Sequence, residues 1–134
     1  MPRRRTARRR AIDVLYQADM TDRAPSEVLA EREDFERMAP VYTKAVVLGV
    51  QEHLGEIDRL LGEASEGWTV ARMPAVDRAI LRLAAYEILY RDDVPDAVVI
   101  NEAVDSAREL STEASRGFVN GLLGKIARDR AAAG

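Results

Sequence analysis

The 134-residue sequence contains no cysteine, which excludes disulfide bonds, thiolate metal sites and cysteine nucleophiles. Aromatic residues are scarce, with one tryptophan, two phenylalanines and four tyrosines, so aliphatic side chains must fill the core. No apolar run approaches the roughly 20 residues that a membrane-spanning helix requires. These absences predict a cytoplasmic protein without membrane contact, and its length suits one hydrophobic core.

Catalytic chemistry also has little support in the sequence. The single histidine, His53, lies at the edge of an apolar helical stripe, where a histidine usually packs against the core. The carboxylates are scattered along predicted helices without the spacing of paired catalytic acids or metal ligands. No glycine-rich phosphate loop follows a strand, because no strand is predicted. We therefore expect a protein that is not an enzyme and that holds no metal and no cofactor.

The charge of the chain is divided unevenly along its length. Six arginines stand within the first ten residues, although the whole chain has a net charge of −3. An acidic body with one basic end predicts a localised anionic partner, since the body itself repels nucleic acid. The run is either a disordered tail or the first turns of a helix. No glycine or proline after Pro2 separates it from the apolar pattern that follows, which favours the helix.

Helical periodicity runs through the chain, and no segment alternates as a strand does. Six helices are predicted, near residues 3–20, 27–37, 40–61, 74–91, 96–110 and 114–128. Ser26 is the expected N-cap of the second helix, which should bury Phe35, and Pro40 is expected to begin the third. The fold class is therefore all-α, a compact bundle of six to seven helices. We expect one domain over residues 1–134, with helical halves at about 1–63 and 74–131, joined by a connector with at most one short turn near Trp68.

The first predicted helix combines a core-facing side with a cationic side. Its narrow apolar stripe consists of Ala7, Ala11, Val14, Leu15 and Ala18. On the same helical wheel, Arg5 and Arg9 share one flank, which Tyr16 continues. Arg4 and Arg8 form a second pair near the edge of the stripe. Guanidinium groups above a tyrosine suit phosphates and unstacked bases.

Glu87 is the most anomalous charge, because it falls in the middle of the apolar face of the fourth predicted helix. An isolated buried carboxylate costs several kcal/mol. Glu87 therefore needs a partner, either an arginine or the free N–H groups at the start of another helix. We expect a buried tie between the two helical halves rather than a catalytic acid.

The sixth predicted helix has an unusual face without large side chains. Gly121 and Gly124 lie within it, where each glycine costs roughly 1 kcal/mol relative to alanine. With Asn120 they form a surface that either lets a ligand approach closely or packs tightly against another helix. Phe118, near Arg116, lies at the edge of the apolar stripe, where it is available for stacking.

Four segments, taken together, resemble the NusB family of bacterial transcription antitermination factors. In chain order they read RRRTARRRAIDVLYQ, MPAVDRAILRLAAYEILY, VPDAVVINEAVDSAREL and FVNGLLGKIA. The combination covers nearly the whole chain and is specific, although each segment alone is a weak signal. The resemblance implies an all-α fold with two helical subdomains at right angles, and a protein that performs no chemistry.

The resemblance also implies partners. Members of this family bind the boxA element of ribosomal RNA leader transcripts, as single-stranded RNA, in a heterodimer with NusE, a small-subunit ribosomal protein. The complex joins NusA and NusG on RNA polymerase, where it suppresses premature termination. Some members form homodimers, which would mask the arginine surface.

Site residues carry over from the family motifs. The implied RNA-binding residues are Arg4, Arg5, Arg8, Arg9, Arg116, Phe118 and Asn120. Tyr16 and Asp77 match family positions toward NusE. Two alternatives stay open: the RNA-binding module at the front of ribosomal RNA cytosine methyltransferases, and a purely protein-binding helical adaptor. The chain ends at Gly134 without a Rossmann-type domain, which favours a free-standing factor over the methyltransferase module.

Overall fold

The computed structural model describes residues 2–33 and 41–133, and within them it contains seven α-helices and no β-strand. The first four helices are α1 (Pro2–Met20), α2 (Pro25–Glu33), α3 (Val41–Glu52) and α4 (Leu54–Ala64). After a 3-10 turn at Val70–Arg72 come α5 (Ala75–Tyr90), α6 (Asp96–Leu110) and α7 (Glu113–Ala133). The all-α fold is confirmed. None of the helices in the described ranges is both long and apolar enough to cross a membrane.

Three helices were predicted almost to the residue, and the 3-10 turn lies in the predicted connector. The third predicted helix, in contrast, is two helices. The backbone at His53 departs from helical geometry, with φ at −111° and ψ at 18°, and separates α3 from α4. The prediction of one helix was wrong because the apolar spacing continues across the break, since both helices bury their apolar sides in the same core. The break sets the His53 ring against Tyr90, with the ring centroids 3.9 Å apart.

The second helix also differs from its prediction. It begins at Pro25, so Ser26 is not its N-cap; instead the backbone N–H of Ser26 donates to Oε1 of Gln51 at 2.8 Å. The predicted end of this helix, the burial of Phe35 and the helix start at Pro40 lie outside the described residues. At the other end of the chain, α7 continues beyond the predicted residue 128 through a run of alanines, which have the highest helix propensity.

The centre of the molecule is α5, as its broad apolar face predicted. It packs against α1, α3, α4, α6 and α7, and its residues Ile80, Leu81 and Ile88 are almost completely buried. Buried residues from both sides of the connector form one hydrophobic core, so the core itself does not separate two helical halves. The division of the domain into two halves at the connector stays a prediction.

The apolar stripe of α1 faces that core. All five predicted stripe residues are buried, with exposed fractions between 0 and 2% for Ala7, Ala11, Val14 and Ala18 and 5% for Leu15. This burial fixes the rotation of α1 about its axis, since an α-helix advances about 100° per residue. The burial therefore determines which of its arginines reach the surface.

Candidate nucleic-acid interface

The arginines of α1 separate by depth. The side chains of Arg4, Arg5 and Arg9 are 45%, 47% and 25% exposed, whereas that of Arg8 is 7% exposed. Arg8 follows directly after the buried Ala7 and lies on the edge of the stripe, as its position on the helical wheel predicted. We call Arg4, Arg5 and Arg9 the α1 arginine row, because their guanidinium groups are accessible from one side of the bundle.

Arg8 forms an ion pair with Glu87 of α5 inside the protein. The Nε–H of Arg8 donates to both carboxylate oxygens, at 3.2 and 2.9 Å, and the hydroxyl of Tyr42 also donates to Glu87. The Glu87 side chain is only 2% exposed. In the described part of the chain, no buried side-chain polar atom lacks a hydrogen-bond partner. Glu87 is therefore paired inside the protein as predicted, and of the two predicted partners, an arginine or the N–H groups at a helix start, the structure shows the arginine.

Arg8 is the least exposed of these four arginines, and its contact with RNA stays a prediction. Its charge is neutralised by the buried carboxylate of Glu87, and a phosphate that displaced this carboxylate would leave it buried without a counter-charge. Arg8 therefore ties α1 to α5. Sequence reasoning grouped it with its neighbours because the helical wheel places Arg8 near the edge of the stripe without giving the depth of that edge.

Tyr42 of α3 lies among the cations at the start of α1. The guanidinium carbon of Arg4 is 4.0 Å from the Tyr42 ring centroid, and that of Arg91 is 4.9 Å away. Both distances are within the range of cation–π attraction. Burial, followed by the hydrogen bond to Glu87, raises the pKa of Tyr42 far above its ordinary value. Sequence reasoning missed Tyr42, since only the need of Glu87 for partners pointed to this place.

Acidic side chains face the α1 arginine row. Arg5 pairs with Glu102 at 3.2 Å and with Asp105 at 2.5 Å, both on α6. Arg9 pairs with Glu109 of α6 at 2.9 Å. The hydrogen bond from Arg9, together with its charge, holds the pKa of Glu109 below its usual range. The spacing of these three acids by 3 and 4 residues is a helical stripe, which was visible in the sequence but not recognised.

Arg4 has an acidic partner outside α6. Its Nη2 lies 3.2 Å from the carboxylate of Asp93, in the turn between α5 and α6. Arg91 pairs with the same carboxylate at 3.2 Å. We call Asp93, Glu102, Asp105 and Glu109 the acidic strip.

A groove of about 400 Å³ runs along α1 beside the arginine row. Its lining residues are Thr6, Arg9, Arg10, Ile12, Asp13, Tyr16, Val76 and Leu110. Tyr16 is half-buried in this groove, and Leu110 is 45% exposed at the end of α6. An apolar surface beside guanidinium groups suits a flat base attached to a phosphate.

A second cleft, of about 200 Å³, lies between the connector and the start of α7. Its lining residues are Trp68, Pro74, Asp77, Thr112, Ala114, Ser115 and Phe118. The rings of Trp68 and Phe118 meet at a centroid distance of 6.1 Å and an angle of 56°. Trp68 is 52% exposed, so this cleft has an aromatic wall open to solvent.

Asp77 lies deeper in this second cleft than its predicted contact with a partner protein requires. It is 2% exposed, and its carboxylate accepts hydrogen bonds from Ser111 at 2.6 Å and from Ser115 at 2.8 Å. These bonds tie α5 to the start of α7. The contact of Asp77 with a partner protein therefore stays a prediction, and in the structure its carboxylate holds the start of the segment that carries Phe118.

The remaining predicted residues lie on α7. Arg116 forms an ion pair with Glu113 one turn earlier, and Asn120 is exposed. The face beside Asn120 is open, because a Cβ added at Gly121 would meet no atom within 4 Å. Gly121 therefore does not serve tight packing in this structure, and close approach of a ligand there stays a prediction.

The two grooves lie near each other along α5, where the consecutive residues Val76 and Asp77 line the first and the second groove. Arg9 of the α1 arginine row and Tyr16 line the first groove, and Phe118 lines the second. The two sets of lining residues have no member in common.

The other candidate chemistry finds no support in the geometry. His53 is 34% exposed and stacks on Tyr90, as expected of a histidine at the edge of the core. Within the described residues, no group of three or more histidine, aspartate or glutamate side chains is arranged to hold a metal ion. The fold and the α1 arginine row define a small all-helical protein with a cationic helix at its surface.

The chain belongs to the NusB family, whose sequence model matches residues 5–128. It is 51% identical over 131 residues to the transcription antitermination protein NusB of Salinispora arenicola, an alignment that covers 95% of this chain and 96% of that protein. That name denotes a regulator of transcription, which confirms the prediction that the chain is not an enzyme.

Solved structures agree with this assignment. A chain in the crystal structure of a plectonemic RNA supercoil is 28% identical, with 100% of both chains covered and a TM-score of 0.90. A chain in the crystal structure of the antitermination factors NusB and NusE in complex with double-stranded RNA is also 28% identical. That match covers 96% of this chain and 98% of the other, with a TM-score of 0.86.

Proposed function

We propose that this chain is a transcription antitermination factor that binds the boxA RNA of ribosomal RNA leader transcripts together with NusE. It acts in the cytoplasm within complexes that contain NusA, NusG and RNA polymerase, and it supports ribosomal RNA synthesis. The observation that carries the proposal is the α1 arginine row, three accessible guanidinium groups on one rigid helix in a chain of the NusB family. The similar structure that contains NusB, NusE and RNA supports both partners.

Different residues of this surface contact different parts of the RNA. Arg4, Arg5 and Arg9 contact phosphates, since a guanidinium fork matches the geometry of phosphate oxygens. Phe118, in the aromatic wall of the second cleft, stacks on bases. Stacking requires unpaired bases, because a duplex hides their faces, and this requirement favours single-stranded boxA RNA over a duplex. Arg116 and Asn120 extend the surface along α7.

NusE binds at Tyr16, in the part of the first groove that Val76 of α5 also lines. Asp77 contributes by holding Ser111 and Ser115, and so by fixing the start of α7. A second copy of the chain is another partner, and a homodimer that masks the α1 arginine row competes with RNA. Size measurement with and without RNA distinguishes these states.

Fluorescence anisotropy with labelled boxA RNA, with and without NusE, tests the proposal. The variant R4A/R5A/R9A should bind the RNA at least about tenfold more weakly, because each lost phosphate contact removes a charge-assisted interaction. The matched control R23A/R59A/R130A removes three arginines from α4, α7 and the loop after α1, and should retain affinity within about threefold.

The alternatives give different results in the same assay. A purely protein-binding adaptor binds NusE but shows no affinity for boxA RNA. A module of the methyltransferase type binds ribosomal RNA without a preference for boxA and without a contribution from NusE. Equal loss of affinity in the two triple variants would remove the α1 arginine row from the RNA surface.

A further inference from the structure

Each guanidinium of the α1 arginine row is already paired with a carboxylate of the same chain. Arg5 holds Glu102 and Asp105, Arg9 holds Glu109, and Arg4 holds Asp93. The surface expected to attract an anionic polymer is thus lined by four anionic groups. Nothing in the proposed function explains why these acids are placed there.

We propose that the acidic strip is an internal competitor for RNA phosphates, which lowers the affinity of the α1 arginine row for every polyanion. Nucleic acid that offers only phosphates is then held weakly, so stable binding depends on base contacts or on a second protein. The proposal rests on the proposed function, since it requires that the row contacts RNA.

The acids occupy the donors that a phosphate needs. Arg5 directs its Nε to Glu102 and its Nη2 to Asp105, so two N–H directions of its fork are in use. Arg9 directs Nη1 and Nη2 to the two oxygens of Glu109, at 3.1 and 2.9 Å, which is the bidentate arrangement also preferred with phosphate. Carboxylate and phosphate therefore cannot occupy these donors together.

The ion pairs between the α1 arginine row and the acidic strip compete with RNA phosphates for the same N–H donors, and a bound phosphate can displace them. They lie at the surface, where solvent and salt reduce the strength of an ion pair. The buried pair of Arg8 and Glu87 differs, because an incoming phosphate would leave a carboxylate unpaired in the core. Exchange is thus confined to the row, while α1 stays attached to α5.

A different role for the acidic strip would be to stabilise the start of α1. This helix has no acidic residue in its first turn, and its arginines lie near the positive end of the helix dipole. Acids from α6 would offset that charge. Under this role, removing them lowers the melting temperature and weakens RNA binding, which is the opposite of what competition predicts.

The variant E102Q/D105N/E109Q removes three negative charges and keeps the side-chain shapes. Its matched control, E31Q/E56Q/E63Q, removes three acids that pair with Arg23 and Arg59 elsewhere on the surface. Anisotropy is measured with boxA RNA and with an oligouridine of equal length. Competition predicts that the first variant binds both RNAs about tenfold more tightly than the wild type, and the control within about threefold.

The outcomes separate this proposal from the proposed function. If R4A/R5A/R9A weakens boxA binding but E102Q/D105N/E109Q does not strengthen it, the competitor is overturned and the RNA surface stands. If R4A/R5A/R9A has no effect on boxA binding, both proposals fail. Circular dichroism verifies that each variant is folded. If the triple variant is unfolded, the single variant E109Q, which frees only Arg9, replaces it. An E109Q variant that binds RNA no more tightly than the wild type also overturns the proposal that the acidic strip competes with RNA.

Discussion

Arg8 and Glu87 show how a charged residue can belong to the core. Arg8 stands between the buried Ala7 and the partly exposed Arg9, and its guanidinium lies over the Tyr42 ring and against the carboxylate of Glu87. A buried ion pair adds little net stability compared with apolar side chains of the same volume, but each partner depends strongly on the other. The pair therefore specifies how α1 docks on α5.

Replacing Glu87 with Gln tests this dependence. The charge of Arg8 would remain buried without a counter-charge, and we expect the free energy of unfolding to fall by about 3–5 kcal/mol. Urea denaturation followed by circular dichroism measures the loss. The control E102Q breaks a surface pair and should cost less than about 1 kcal/mol. The variant R8M/E87L/Y42F should recover most of the loss, and its failure to do so would show that the pair adds stability beyond packing.

The hydroxyl of Tyr42 gives stability a dependence on alkaline pH. Because its pKa is raised in the folded protein, the unfolded chain loses this proton first as the pH increases. The contribution is fully present below the ordinary tyrosine pKa of about 10 and declines above it. We expect denaturation midpoints measured between pH 9 and about 11.5 to fall more steeply for the wild type than for Y42F. Parallel curves would contradict this expectation.

At the scale of elements, the junction of α3 and α4 depends on close contact between a glycine and an aromatic ring. Gly49 lies so near Tyr86 that an added Cβ would overlap the ring. Tyr86 in turn stacks with Tyr90 at a centroid distance of 5.7 Å, and Tyr90 stacks on His53. One small residue in α3 thus permits an aromatic stack that joins the helix break to the end of α5.

Alanine at two glycine positions should have opposite effects. In G49A the Tyr86 ring must move, which we expect to destabilise the fold by about 1–3 kcal/mol despite the better helix propensity of alanine. G121A places its methyl group in open space within α7 and should stabilise by about 0.5–1 kcal/mol. Thermal unfolding of both variants provides the comparison; a stabilised G49A would mean that the ring has room to shift.

RNA binding by G121A has its own expected result. If a ligand approaches α7 closely at the open face beside Asn120, the added methyl group weakens boxA binding while the melting temperature increases. A variant that is more stable and binds equally well would remove this face from the RNA surface. Anisotropy with boxA RNA, performed on the same preparations, measures the effect.

The sequence predicted the features that rest on a repeated spacing of apolar residues. It did not predict the features that depend on a single contact between two residues. The stripe of α1 and the central place of α5 were predictable, since several side chains repeat the same spacing and all must be buried. The break at His53 was not, because it leaves that spacing intact. The depth of Arg8 and of Asp77 depends on partners far away in the chain, Glu87 and Ser115, which no local pattern reports.

At the scale of the whole molecule, an acidic body carries a cationic row that its own acids neutralise. Binding of RNA should therefore depend on salt through the few phosphates that the row engages. Three contacts predict a slope of about −2 for the logarithm of the association constant against the logarithm of salt concentration. Anisotropy titrations between 50 and 200 mM salt measure it. R4A/R5A/R9A should flatten the slope, and an affinity independent of salt in the wild type would exclude an electrostatic role.

The continuity of α1 has a thermodynamic consequence. The residues that bear the row and those that fill the core share one helix, so folding of the protein already fixes the backbone of the row. A disordered basic tail would lose roughly 1–2 kcal/mol of backbone entropy per residue on meeting RNA. Here that loss occurs during folding, so the backbone of the α1 arginine row needs no further ordering when RNA binds.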